Sequence, residues 1–208
     1  MTKRYFDLYL SLVLIIFLLP LLIPIFIILL LTGEGYVFYF QERIGHNEKT
    51  FDLLKFATMY KDSPNMKGGN ITSKNDPRIL PFGNFLRKYK INEFPQLFNI
   101  LKGDMSFIGR RPTVKEHYDF YSDDVKKIIS KDKPGLSGIS SIIFRNEEEF
   151  LIYDDNNNFY ENKIAPFKGK LELWYSSNKS MSTDLLLVLT TICIVFNPTI
   201  KIYNVFLR

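Results

Sequence analysis

The chain has 208 residues, a formal charge of +5, and 46% hydrophobic and 15% aromatic content. That length holds a membrane element and one compact domain but hardly two independent cores, and the positive balance suits an anionic partner: a phospholipid surface, a nucleotide or a nucleic acid. The one cysteine, Cys193, lies in an apolar run, which excludes a disulfide framework or a thiolate metal site within one chain.

Residues Leu8 to Leu31 are apolar except for Ser11, Pro20 and Pro24, and Lys3, Arg4 and Asp7 precede them. The run is long enough to cross a bilayer and too long for the core of a secretory signal, and no small-residue cleavage site follows it. Pro20 removes an amide donor and its ring crowds the preceding turn, which predicts a kink in mid-membrane, from which the chain can turn back as a re-entrant hairpin or go on to span the bilayer. Lys3 and Arg4 favour a cytoplasmic N-terminus. Gly33, Glu34 and Gly35 end this element, and Tyr36, Phe38, Tyr39 and Phe40 suit either the headgroup level or a first strand. Gln41–Gly45 and Phe51–Met59 predict a hairpin of short strands turning around Gly45 to Lys49. His46, alone in that turn, is expected to be solvated. Residues 61–75 carry Pro64, Gly68 and Gly69 and predict a loop; the glycine pair lacks the strand-to-helix setting of a phosphate cradle.

From Arg87 to Pro112 the chain reads RKYKINEFPQLFNILKGDMSFIGRRP. Ile91, Phe94, Leu97, Phe98, Ile100 and Leu101 recur at spacings of three, four and seven, the stripe of a helix. Arg87, Lys88, Lys90, Lys102, Arg110 and Arg111 surround Glu93 and Asp104, and cations around carboxylates suit phosphate handled with a divalent metal. A core helix with solvated charged flanks has the same stripe. Glu116–Ile129 predicts one amphipathic helix, with His117 structural or solvated because no partner cysteine or histidine stands at metal-ligating spacing. Pro134-Gly135-Leu136-Ser137-Gly138 allows a tight turn or a close approach to a ligand. Glu147–Asn158 predicts a solvated helix and loop, and Asp184–Phe196 a core or interface helix too short to span.

The Arg87–Pro112 stretch resembles the signature of the bacterial sugar transferases, the small membrane phosphoglycosyl transferases. Its Leu-Arg-Lys, Glu-x-Pro-Gln-Leu-x-Asn-x-Leu and Gly-Asp-Met-Ser segments agree with that family. Asn92 stands where the family pattern has Asp, Arg110 where it has Pro, and Ala57 where a cation is usual. Further matches run from Lys3 to Asp184: Arg43 in Gln-x-Arg-x-Gly, Lys55, Thr58 and Met59 in the next block, then Asp76, Arg78 and Arg145. The resemblance implies a helix-dominated α+β fold with a re-entrant membrane helix-break-helix at 1–35 and a membrane-associated transferase domain at 36–208. It implies transfer of a phosphosugar from a UDP-sugar to polyprenyl (undecaprenyl) phosphate with Mg2+, at the bacterial cytoplasmic membrane, on its cytoplasmic face, as the first membrane step of a surface polysaccharide. Downstream glycosyltransferases are its further expected partners. Arg43, Lys55, Asp76, Arg78, Arg87, Arg111 and Arg145 are the expected substrate contacts, Glu93 the metal ligand, and Asn92, Glu93 and Asp104 the catalytic positions.

In the family the Asp before the Glu is the nucleophile of a double displacement, and the amide of Asn92 does not supply one. Four outcomes stay open. Asn92 positions ligands while the lipid phosphate attacks directly; Asp104 or Glu93 takes the nucleophile's place; the Asn is an introduced substitution that traps a ligand; or the chain binds nucleotide sugar or scaffolds glycan-assembly enzymes without turnover. A nucleic-acid binder would rest on charge alone, with no reading module to support it.

Overall fold

The computed structural model describes residues 2–66, 76–145 and 159–196. The loop expected at 61–75 is a turn as far as residue 66; its Gly68-Gly69 pair, Asn146 and the Glu147–Asn158 segment lie outside the described residues. The chain divides into two compact units, Met1–Gln41 with Asp52–Leu101, and Glu42–Phe51 with Lys102–Arg208.

In the first unit the apolar run forms one helix, α1, Thr2–Thr32, with Pro20 and Pro24 inside it. The break expected at Pro20 is therefore not a gap in the helix. A proline deletes one backbone donor and leaves the turns on either side bonded, so the helix continues through both. At 1.5 Å per residue α1 is about 46 Å long, more than the ~30 Å hydrocarbon core of a bilayer. Most of its apolar side chains are exposed, among them Leu12, Ile16, Phe17, Ile23, Ile27 and Leu31. Its buried side, Ile25 and Leu29, meets Val37, Phe56 and Leu86, with Leu22, Phe38, Phe82 and Ile91 packed around them. Strand β1 is Phe38–Ile44 and pairs with β2, Thr50–Phe56. Phe38 stacks on Phe56 at 5.7 Å, so the aromatic series after Gly35 enters a strand. The strands meet through a 3-10 turn, His46–Glu48, where His46 is exposed.

Helix α2, Pro81–Lys88, opens on a proline at its first position, where no helical donor is lost. Gly83 lets it lie on the strand-like segment before it: a Cβ there would collide with the Thr58 carbonyl. The signature stripe is not one helix. It splits into a 3-10 turn, Ile91–Glu93, and α3, Gln96–Lys102, because Pro95 has no amide proton with which to continue the turn. Leu97 and Ile100 are buried, whereas Phe98 is 46% exposed.

The second unit is built on a parallel pair, β3 (Ser106–Ile108) and β4 (Gly135–Ser137), in the register Ser106 to Gly135 and Ile108 to Ser137. A Cβ on Gly135 would collide with the Gly109 amide, so the Pro-Gly block serves a close backbone approach. Two helices, α4 (Lys115–Asp119) and α5 (Asp123–Ile129), replace the single helix expected over 116–129. Ser122 is extended (φ −64, ψ 155) and Asp123 and Asp124 follow it, acids that favour a new helix start, while Tyr118 and Tyr121 turn inward edge to face at 5.9 Å. Helix α6 is Ile139–Ile143. A π-helical turn at Tyr160–Ile164 leads into α7, Ala165–Asn178, and α8 is Met181–Phe196. The core of this unit gathers Ile44, Tyr118, Tyr121, Ile129, Ile143, Phe144, Tyr160, Ile164 and Ala165.

Candidate functional site

The expected site residues fall in both units. In the first, Arg87 ends α2 half-buried, with Nη1 3.5 Å from Thr58 Oγ1. The chain then reverses through Lys90, left-handed at φ 58 and ψ 18, a conformation uncommon for a residue with a side chain. The following 3-10 turn, held by Glu93 N–H to Lys90 O at 3.2 Å and Phe94 N–H to Ile91 O at 3.1 Å, presents Asn92 and Glu93. Asn92 is 6% exposed, and among the described residues its Oδ1 is a buried acceptor without a hydrogen-bond donor. Such an atom costs desolvation free energy unless a ligand or water meets it. Glu93 is half-buried beside it.

Lys55 is half-buried on β2. Asp76 and Arg78, which would have counted for little as an exposed loop pair, are a buried fork: Arg78 Nη2 to Asp76 Oδ2 is 2.6 Å and Nε to Oδ1 2.9 Å. Their side chains are 4% and 2% exposed. Arg78 Nη1 also donates to Ser63 O at 3.2 Å. The pair braces the segment that leads into α2, where Tyr60 N–H donates to Arg78 O and Leu80 N–H to Thr58 O. Asn99 is a first-unit residue that the apolar-stripe reading passed over. It copies a strand edge for β2, accepting from Leu54 N–H at 2.9 Å and donating to Asp52 O at 2.8 Å. A polar residue inside the stripe, between Phe98 and Ile100, was the signal.

In the second unit Asp104 is half-buried, with Lys102 Nζ 3.1 Å from Oδ2 as an ion pair without hydrogen-bond alignment. Arg43 donates to Pro112 O at 3.2 Å, which brings it to the chain just past Arg111. Arg111 donates its backbone N–H to Glu172 Oε1 at 3.1 Å, and its Nη1 lies 3.5 Å from Ser141 Oγ. Arg145 follows α6 half-buried, and burial lowers its pKa from the ordinary value. Arg110, at the position where the signature has Pro, is a bolt rather than a surface cation. It is 2% exposed, donates Nη2 to Ile44 O at 2.9 Å and Gly45 O at 2.7 Å, and lies over the Tyr118 ring at 5.6 Å.

Glu172 and Lys168 were not anticipated. Both are buried on α7, at 2% and 1% exposure. Glu172 Oε1 accepts from the Ser140 hydroxyl and the Arg111 amide, and burial, outweighing those bonds and the Arg110 and Lys168 charges, pushes its carboxyl up. Lys168 Nζ lies 5.2 Å from the Phe144 ring centre and 5.1 Å from that of Tyr160. In sequence the pair is an ordinary Lys and Glu four apart on a helix, a spacing shared with any solvated face. Asp184 accepts from Tyr175 Oη at 2.6 Å, and Tyr175 Oη also donates to Ile108 O at 3.2 Å. His117 is a ring contact of Tyr160 at 4.5 Å. Among the described residues no group of three or more His, Cys, Asp or Glu could hold a metal ion.

These features define a class that comparison settles: the family model for bacterial sugar transferases matches residues 1–198, and the chain belongs to that family. Among its relatives, the exopolysaccharide production protein ExoY of Sinorhizobium fredii is 32% identical, over 92% of this chain and 84% of that protein. The undecaprenyl-phosphate glucose phosphotransferase of Komagataeibacter xylinus is 40% identical over 67% of this chain but 27% of its own length. The undecaprenyl-phosphate galactose phosphotransferase of Salmonella typhimurium is 30% identical over 91% of this chain and 39% of its own length.

Proposed function

We propose that this chain moves a phosphosugar from a UDP-sugar to polyprenyl phosphate, as the first membrane step of a surface glycan. Relatives named for undecaprenyl-phosphate sugar transfer support the acceptor and the reaction class, and a relative named for exopolysaccharide production supports the pathway type. The observation that carries the reading to particular residues is the Ile91–Glu93 turn, where a buried, unsatisfied Asn92 Oδ1 adjoins the Glu93 carboxylate just after Arg87. Phosphoryl transfer asks mainly for positioning and neutralised oxygens, and these groups are suited to both.

A lipid phosphate oxygen forms a new bond to the sugar-bearing phosphorus as the bond from that phosphorus to the bridging oxygen breaks. The electron pair of the broken bond leaves with UMP. Asn92 positions the phosphosugar and is not itself phosphorylated, since an amide has no anionic oxygen with which to attack. The donor set fits Mg2+, which typically takes one or two carboxylates together with substrate phosphates rather than a protein cage: Glu93 would hold it, with Asn92 Oδ1 as a neutral neighbour. There the ion would offset diphosphate charge. Residues 1–35 are the anchor, re-entrant by way of Pro20, and 36–208 the transferase domain on the cytoplasmic face of the bacterial inner membrane, where it can pass product to downstream glycosyltransferases. Arg43, Lys55, Arg111 and Arg145 contact substrate, while Asp76 and Arg78 shape its approach.

Intact-mass measurement with UMP detection tests the mechanism. Wild type should release UMP only with lipid phosphate present and carry no adduct after denaturation. A phosphosugar adduct on the unaltered sequence would refute direct transfer in favour of Asp104 or Glu93 as nucleophile. A second reading, binding without turnover, draws on the neutrality of Asn92: UDP-sugar would then raise the melting temperature by mass action and no UMP would appear.

A further inference from the structure

The last carbonyls of any helix lack partners within it, and α3 has only seven residues, Gln96–Lys102, so its end is a large share of the whole. Two of those carbonyls are met from far away in sequence. Arg4, in the first turns of α1, donates Nη1 to Ile100 O at 2.5 Å and Nη2 to Leu101 O at 2.7 Å. Both contacts lie inside the first unit. A guanidinium places two donors in a fixed fork, and a cation is favoured at a helix C-terminus; a lysine supplies the charge without the fork.

Orientation of a membrane helix by flanking cations requires charge alone, so this geometry has another use. Helix α3 is also tied to β2 through Asn99. Its N-terminal end continues through Phe94 and the buried Pro95 directly from the turn that carries Asn92 and Glu93. A shift of α1 along its axis would therefore pull on α3, and through it on that turn. We propose that Arg4 is a positioning residue, coupling the seating of the membrane helix to the geometry of the Asn92–Glu93 turn by holding the C-terminal carbonyls of α3. This deepens the transferase reading and rests on it. The anchor then contributes alignment as well as nearness to the lipid.

The test uses the full-length protein in lipid nanodiscs containing polyprenyl phosphate, comparing wild type, Arg4→Lys, Arg4→Ala and Lys3→Ala. Since small misplacements in a phosphoryl-transfer site cost on the order of ten- to a hundredfold, both Arg4 variants should lose that much kcat while KM for the UDP-sugar stays within about twofold. Their amides over residues 97–101 should also exchange hydrogen faster. Lys3→Ala, which removes an equal charge, should match wild type in both readouts. Arg4→Lys behaving as wild type would overturn the proposal, because the cation alone would then suffice. So would a kcat loss that only tracks the folded fraction measured by thermal unfolding. If wild type releases no UMP from any UDP-sugar, the transferase reading fails by itself, and the exchange rates still decide whether Arg4 holds α3.

Discussion

A carboxylate binds a hard cation far better than an amide oxygen of the same shape does, so Glu93→Gln separates charge from packing at the Ile91–Glu93 turn. Turnover should fall by at least about a hundredfold, on the scale of losing a principal charge-stabilising group. The melting temperature should stay near wild type because Glu93 is only half-buried. Chelator should mimic the variant, and full activity in both cases would remove the metal from the mechanism. Glu172 makes a different prediction. Burial raises its carboxyl above the ordinary 4.5, so the native state keeps a proton that the unfolded chain has given up. The contribution of Glu172 to stability is fully present below 4.5 and is lost as pH rises through the raised value. Glu172→Gln should flatten that part of a melting-temperature profile, and an unchanged profile would show that its neighbouring cations already hold it ionised. These residue-level properties were unequally legible. Glu93 stood out as an acid among cations and Asn92 as a departure from the resembled family pattern, whereas the burial of Glu172 depends on the packing of α6 and α7.

At the scale of elements, the signature is a relay of short pieces rather than a helix. A proline and a left-handed lysine set its breaks, and partners distant in sequence satisfy its ends. The Asp76–Arg78 fork does comparable work for the segment before α2. Removing one member of a buried, hydrogen-bonded pair leaves the other uncompensated, at a cost of roughly 3–5 kcal/mol. Asp76→Ala should therefore lower the denaturant midpoint sharply, and an exposed-pair effect below about 1 kcal/mol would contradict the burial described here. Sequence periodicity located the stripe correctly but overran its boundaries. The same overrun joined α4 to α5, because period alone does not register where a buried aromatic pair turns the chain.

For the whole molecule the open geometry is that of the anchor. An α1 of about 46 Å can cross a bilayer of ~30 Å at a tilt, and the re-entrant arrangement that we propose makes a measurable alternative. Cysteines placed singly at Thr2 and Asn47, in a background without Cys193, should react with an impermeant reagent from the same side; opposite sides would establish a spanning helix. Pro20→Leu restores the missing donor and should shift the population toward spanning. Some of this protein was settled by composition and order: an apolar run long enough for a membrane, and two short strands turning around Gly45. Those are local properties, written in side-chain chemistry and near-neighbour spacing. Tertiary structure alone decided that Arg4 caps α3, that Arg110 is a buried bolt, that Asp76 and Arg78 form an internal fork, and that Glu172 lies beneath Arg111. Each joins groups whose meeting depends on how whole elements pack, and desolvation, which gives such contacts their strength, exists only once that packing has closed around them.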